Sequence, residues 1–123
     1  MLGRLRVLIA EDDPIVAETL SEIIREAEGD IVGPFATLKE VRALLKESIR
    51  IQVAILDVNL SDGPVTPVLE ALHARGIPTL VYTGGSVPED VRGRHPDLVT
   101  LTKPVCPARL IAEIRRISGR PIA

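Results

Sequence analysis

The chain has 123 residues, of which 46% are hydrophobic and 26% charged, and its formal net charge at pH 7 is -2. We expect residues 1–123 to form a single domain, with its core over about 6–117 and no output domain. The nearly balanced charge argues against nucleic acid or a membrane surface as a partner. Cys106 is the only cysteine and no apolar run reaches membrane-spanning length, which favours a cytoplasmic protein without an internal disulfide.

The first half of the sequence predicts two strand–helix units. The apolar run 6–10 is of strand length, and Asp13 before Pro14 is typical of the start of a helix. A short second strand is predicted at 30–33. The segment Thr37–Glu40 has the form of a capping box and predicts the start of a second helix.

The second half predicts three further units, each an apolar run followed by a helix start. The third strand is apolar on both faces, which is typical of the centre of a sheet. Gly93 and Pro96 limit the helix between the fourth and fifth strands, so we expect it to be short. The predicted strands are 53–56, 79–82 and 98–101, and the helices start at Thr66, Ser86 and Pro107.

Five strands that each precede a helix predict an α/β fold, a doubly wound parallel sheet of the (βα)5 type with right-handed crossovers. We expect the flavodoxin-like strand order 2-1-3-4-5, which makes the first and third strands neighbours. Ligands of such sheets bind beyond the carboxyl ends of the strands. The residues that follow each strand are therefore the candidates for a functional site.

Acidic, hydroxyl and basic residues that could form one site lie at these strand ends. Glu11 and Asp12 follow the first strand, Asp57 ends the third, Thr83 follows the fourth and Lys103 the fifth. Two carboxylates about 4 Å apart repel by roughly 4 kcal/mol at an effective dielectric of 20, so this cluster needs counter-charge. Oxygen ligands without His or Cys suit Mg²⁺. A carboxylate nucleophile, a metal ion, a lysine and a hydroxyl are the groups required to form an aspartyl phosphate.

These motifs, in this order, resemble the receiver domains of two-component response regulators (CheY-like), over about Arg6 to Ile117. The resemblance implies that Asp57 accepts a phosphoryl group from a sensor histidine kinase or a histidine phosphotransfer protein. It implies that Lys103 pairs with the carboxylate and then with the phosphate, and that Thr83 closes onto the phosphoryl oxygens. The Lys103–Pro104 peptide is usually cis in this family.

The resemblance also implies a Mg²⁺ site made of Glu11, Asp12, Asp57 and the backbone carbonyl of Asn59. A receiver is not an enzyme acting on a free metabolite, because its phosphotransfer is directed at itself. Without an output segment, we expect this single-domain receiver to act by binding a downstream protein or by draining phosphate from a kinase.

Three features depart from the common receiver pattern. Thr100 stands where many receivers carry a switch aromatic, and the loop after Asp57 is two residues shorter, with Ser61 in place of proline. The segment Val81–Gly85 resembles the Phe-Ala-Thr-Gly variant of alphaproteobacterial single-domain receivers, although Val and Tyr replace Phe and Ala. Its two glycines leave little bulk over Asp57, so we expect a short-lived acyl phosphate.

Three alternatives to this interpretation stay open. A phosphohydrolase of the haloacid-dehalogenase type would carry a second Asp where Asn59 stands. A nucleotide or flavin binder would need a Gly- or Ser-rich loop in place of the acidic run 11–13, which repels phosphate. A receiver-shaped scaffold that is never phosphorylated is favoured only by the short loop after Asp57.

Overall fold

A computed structural model describes residues 2–85 and 87–119, so the predicted helix start at Ser86 lies outside the described residues. The strands are β1 (Arg6–Ala10), β2 (Asp30–Phe35), β3 (Val53–Leu56), β4 (Asn59–Leu60), β5 (Gly63–Pro64), β6 (Thr79–Thr83) and β7 (Val99–Thr102). The helices are α1 (Pro14–Glu26), α2 (Leu38–Leu45), α3 (Thr66–Ala74), α4 (Glu89–Arg94) and α5 (Pro107–Ile117).

Five parallel strands form one sheet in the order β2-β1-β3-β6-β7. Counting only these five, the order is 2-1-3-4-5, so the predicted flavodoxin-like fold is confirmed. The central strand β3 is buried along its whole length, as its continuous apolar run predicts. Within residues 2–85 and 87–119, no helix has the length and apolar character needed to cross a membrane.

Alternate residues of the central strands face two separate apolar layers. Val7 and Ile9 of β1 pack with α1 and α5, whereas Leu8 and Ala10 pack with α2 and α3. The same alternation runs through β3 and β6, because successive side chains of a strand point to opposite faces. The sheet is therefore covered on both sides, and its carboxyl edge is the place left for polar chemistry.

The predicted helix caps are present. Asp13 accepts hydrogen bonds from the N–H groups of Ile15 at 2.9 Å and Val16 at 3.4 Å, which begins α1. The Thr37 hydroxyl oxygen accepts from the N–H of Glu40 at 3.1 Å and begins α2. The Glu40 carboxylate accepts in return from the Thr37 hydroxyl at 2.9 Å, rather than from a backbone N–H.

The structure differs from the predicted elements in four places. Strand β6 ends at Thr83, one residue later than predicted. Strand β2 continues to Phe35, past a cis Gly33–Pro34 peptide and an irregular pairing with β1. The loop after Asp57 forms a small antiparallel hairpin of β4 and β5, which was not predicted. Strand β7 begins and ends one residue later than predicted.

Helix α4 is as short as predicted, with six residues. Within these six residues only Val91 is buried, and Arg94 forms an ion pair with Glu70 of α3 at 2.7 Å. Helix α4 therefore buries little apolar surface against the rest of the domain.

Candidate functional site

The strand ladders continue one residue beyond three of the strands, and this fixes the candidate site residues. The Glu11 N–H donates to the Phe35 carbonyl at 2.9 Å, and the Asp57 N–H donates to the Ala10 carbonyl at 2.9 Å. The Lys103 N–H donates to the carbonyl of Thr83 at 2.8 Å. Each candidate backbone is therefore held by the neighbouring strand.

Three acidic residues converge at this edge. Ligand oxygens of Glu11, Asp12 and Asp57 all lie within 4.8 Å of one another. The Glu11 side chain is only 1% exposed and that of Asp57 is 15% exposed, whereas Asp12 faces solvent. The structure thus brings together three of the four predicted metal ligands. The fourth, Asn59, begins β4 two residues after Asp57, and the role of its carbonyl stays a prediction.

Lys103 reaches the acidic cluster from the carboxyl end of the edge strand β7. Its Nζ lies 2.5 Å from Glu11 Oε1 and 3.4 Å from Asp57 Oδ2. The resemblance implied a pairing with Asp57, but the ammonium is closer to the buried glutamate. The Lys103–Pro104 peptide is cis, as expected from the resemblance.

Burial and the charges of neighbouring groups shift the pKa values of Glu11 and Lys103. Burial, together with the neighbouring Asp57 carboxyl, raises the pKa of Glu11 to about 7, against the opposing effect of Lys103. Burial works to lower the pKa of Lys103, but its hydrogen bond to Glu11 and the charge of Asp57 outweigh this and raise it. Lys103 is therefore a cation at neutral pH, within reach of both carboxyls.

The donor set fits a hard dication. Three carboxyl groups lie together at the strand ends, with one ammonium group beside two of them. The ligand atoms are all oxygens, two of the side chains are largely sheltered from solvent, and Asp12 lies open to water. Mg²⁺ takes oxygen ligands from one or two carboxylates while keeping several waters, so the site can hold it.

Thr83 ends β6 and is buried, with 5% exposure. Its hydroxyl oxygen accepts a hydrogen bond from the N–H of Gly85 at 3.1 Å, which holds the turn after the strand. A Cβ added at Gly84 would lie 3.9 Å from Cδ of Lys103, and one at Gly85 would meet nothing within 4 Å. The turn beside the lysine is therefore open.

Two residues next to the site were not identified from the sequence. The Asp62 carboxylate accepts hydrogen bonds from the N–H groups of Leu38 at 2.7 Å and Lys39 at 3.1 Å, so it ties the β4–β5 hairpin to the start of α2. Tyr82 lies beneath Lys103, with Nζ 5.5 Å from the centre of its ring. No local pattern indicates either contact, because each joins segments more than 20 residues apart.

Comparisons with known proteins identify the same arrangement of elements. No protein-family model and no curated protein matches the sequence. Among solved structures, SdrG from Sphingomonas melonis Fr1 is 34% identical, over 97% of this chain and 99% of SdrG, with a TM-score of 0.79. A CheY-like response regulator receiver domain protein from Methanospirillum hungatei JF-1 is 25% identical over 94% of both chains, with a TM-score of 0.81.

A third similar structure carries a metal ion of its own. It is the receiver domain of a sensor histidine kinase from Pseudomonas aeruginosa PAO1, with a magnesium ion coordinated in its active site cleft. It is 19% identical over 94% of this chain and 98% of that chain, with a TM-score of 0.77. At this identity the likeness concerns the fold alone.

Proposed function

This chain belongs to the response-regulator receiver domains, and from that premise we propose that it accepts a phosphoryl group on Asp57 from a histidine kinase or a histidine phosphotransfer protein. The observation that carries the proposal is the position of Lys103 Nζ between Glu11 and Asp57, beside three carboxylates gathered within 4.8 Å. The Asp57 carboxylate is thereby in contact with the Lys103 ammonium group, which can stabilise negative charge on the oxygens of a phosphoryl group.

In the proposed reaction a carboxylate oxygen of Asp57 forms the new bond to phosphorus. The bond from phosphorus to the donor's histidine nitrogen breaks, and that nitrogen keeps the electron pair and takes up a proton. Lys103 lies within 3.4 Å of the attacking carboxylate and neutralises charge that the incoming phosphoryl oxygens bring. Thr83 carries a hydroxyl at the same edge, which can donate to a phosphoryl oxygen.

Glu11, Asp12, Asp57 and the Asn59 carbonyl would hold Mg²⁺, which, when bound, screens the carboxylates from the phosphoryl oxygens. The Pseudomonas aeruginosa receiver with magnesium in its active site cleft supports this assignment through its shared fold. Hydrolysis of the acyl phosphate returns the domain to its starting state, so its chemistry is self-directed. We propose that residues 1–123 act as one cytoplasmic domain, through a protein target or as a phosphate sink.

The test is incubation with phosphoramidate and Mg²⁺, followed by intact mass. We expect wild-type protein to gain one phosphoryl group and Asp57→Asn to gain none. Asp97→Asn serves as the matched control and should gain one group, because Asp97 is an exposed aspartate that precedes β7 and so lies away from the carboxyl ends of the strands. Addition of a chelator before the phosphodonor should abolish the gain in wild type.

Two results would contradict the proposal. An equal gain in wild type and Asp57→Asn would place the phosphoryl group on another residue. No gain in wild-type protein, with Mg²⁺ present, would favour the scaffold that is never phosphorylated.

A further inference from the structure

Tyr82 makes two contacts with the segment that carries Lys103. It is 6% exposed and faces the apolar layer formed with α1 and α5. Lys103 Nζ lies 5.5 Å from the centre of its ring. Its hydroxyl oxygen accepts a hydrogen bond from the backbone N–H of Val105 at 3.3 Å. A single side chain thus contacts both the ammonium group and the backbone two residues further on.

Both contacts constrain the lysine. A cation above an aromatic face is attracted by the negative charge of the ring, and more strongly where water is partly excluded. The Lys103 side chain is 21% exposed, so this attraction operates in a sheltered position. The hydrogen bond to Val105 fixes the backbone on the far side of Pro104, while Thr83 fixes the backbone of Lys103 itself.

Tyr82 also stands out in the sequence. It is the only tyrosine of a chain with no tryptophan. It pairs with Leu101 of β7, while the exposed Thr100 pairs with Val81 on the neighbouring rung. An aromatic ring is thus present one strand away from Thr100, under the lysine.

We propose that Tyr82 is a positioning residue, which holds Lys103 at the distance from which Nζ reaches both Glu11 and Asp57. The inference rests on the proposed phosphorylation of Asp57 and adds a residue to it. Phosphoryl oxygens on Asp57 attract the ammonium group of Lys103. The distance between this positive charge and the Tyr82 ring should therefore change on phosphorylation. The ultraviolet absorption and fluorescence of this single tyrosine should therefore report the modification directly.

The test compares three variants with wild type in the initial rate of mass gain from phosphoramidate. Tyr82→Leu removes ring and hydroxyl, and we expect a rate about three- to thirty-fold lower. Tyr82→Phe keeps the ring and loses only the hydroxyl, and its rate should fall by at most about three-fold. Leu80→Ala removes a buried side chain from the same strand and face at a greater distance from Lys103, and should keep the wild-type rate.

The second measurement is the tyrosine spectrum of wild-type protein before and after the phosphodonor, with Asp57→Asn as the unphosphorylated control. A change in wild type alone supports the inference. The inference would be overturned, even if wild type is phosphorylated, if Tyr82→Leu gains mass at the wild-type rate. It would also be overturned if that rate falls no more in Tyr82→Leu than in Leu80→Ala. An unchanged tyrosine spectrum in fully phosphorylated wild type would overturn it as well. Failure of wild type to gain mass would overturn the proposed function itself, and the inference with it.

Discussion

Lys103 and Thr83 are joined by a backbone hydrogen bond of 2.8 Å, from the N–H of the lysine to the carbonyl of the threonine. The bond continues the pairing of β7 with β6 by one residue beyond the sheet. An ammonium and a hydroxyl that the proposed reaction uses are therefore placed by strand pairing.

Replacing Lys103 should slow phosphorylation far more than replacing another lysine. Lys103→Met removes the cation that contacts Glu11 and Asp57, so charge that develops on the phosphoryl oxygens loses its partner. We expect the initial rate of mass gain with phosphoramidate to fall about a hundred-fold. Lys46→Met removes an exposed lysine after α2 and should keep the wild-type rate. A loss of less than three-fold in Lys103→Met would contradict this role.

The buried Glu11 predicts a pH-dependent stability. Burial and the neighbouring Asp57 raise its pKa from 4.5 to about 7, so between these pH values the folded state binds more protons than the unfolded state. The contribution of Glu11 to the free energy of unfolding must therefore fall as the pH rises through this window. From pH 5 to pH 8, Glu11→Gln should become more stable relative to wild type by on the order of 1–3 kcal/mol.

Urea denaturation in the presence of a chelator measures this difference, because a bound metal would favour the ionised form of Glu11. Glu47→Gln, at an exposed glutamate after α2, is the control and should follow the wild-type pH profile. Parallel profiles for Glu11→Gln and wild type would show that the prediction is wrong.

Asp62 should stabilise the start of α2 as a charged acceptor. Hydrogen bonds from the N–H groups of Leu38 and Lys39 lower the pKa of Asp62 below 3.8. Its contribution to stability is therefore fully present above 3.8 and is lost as the pH falls through the lower, folded-state pKa. Asp62→Asn should lower the melting temperature at pH 7. The difference in melting temperature from wild type should shrink as the pH falls below 3.8.

The melting temperature of Asp97→Asn, at an exposed aspartate, provides the comparison. If the melting temperature of Asp62→Asn stays below that of wild type by the same amount from pH 7 down to strongly acidic solution, the charge of Asp62 is not the cause of the stabilisation.

The open turn after β6 should limit the lifetime of the acyl phosphate. A Cβ at Gly84 would meet Lys103 at 3.9 Å, and the backbone there does not require the left-handed region. Gly84→Met would therefore place a flexible apolar side chain beside the site and hinder the approach of water. We expect a roughly few-fold longer half-life of the phosphorylated protein, measured by intact mass after removal of the phosphodonor.

Gly85→Met is the matched variant, since a Cβ at Gly85 meets nothing within 4 Å. Its half-life should stay near the wild-type value. An unchanged or shorter half-life in Gly84→Met would contradict the proposed route for water.

Local patterns in the sequence were sufficient to predict the five strands of the parallel sheet, their order and most helix starts. Asp13 and Thr37 cap helices as predicted, because an N-cap acts within three residues of its own position. The convergence of Glu11, Asp12 and Asp57 was also predictable, since parallel strands end at one edge of a sheet.

The features that were not predicted depend on contacts between distant segments. Asp62 caps a helix that begins 24 residues earlier in the chain, so no helical or strand period indicates its role. The hairpin of β4 and β5 has two-residue strands, which are too short to show a period of two. The closer pairing of Lys103 with Glu11 than with Asp57 depends on the burial of the glutamate, which a linear pattern does not give.

The single buried side chain of α4 has a consequence for how a signal could leave the edge of the sheet. A helix that keeps one valine in the core separates from its neighbours at a low free-energy cost, on the order of 2–3 kcal/mol for that side chain. A rearrangement of that size is comparable to one or two altered hydrogen bonds at Thr83. Amide protons of residues 89–94 should therefore exchange with deuterium sooner than those of α1 or α5.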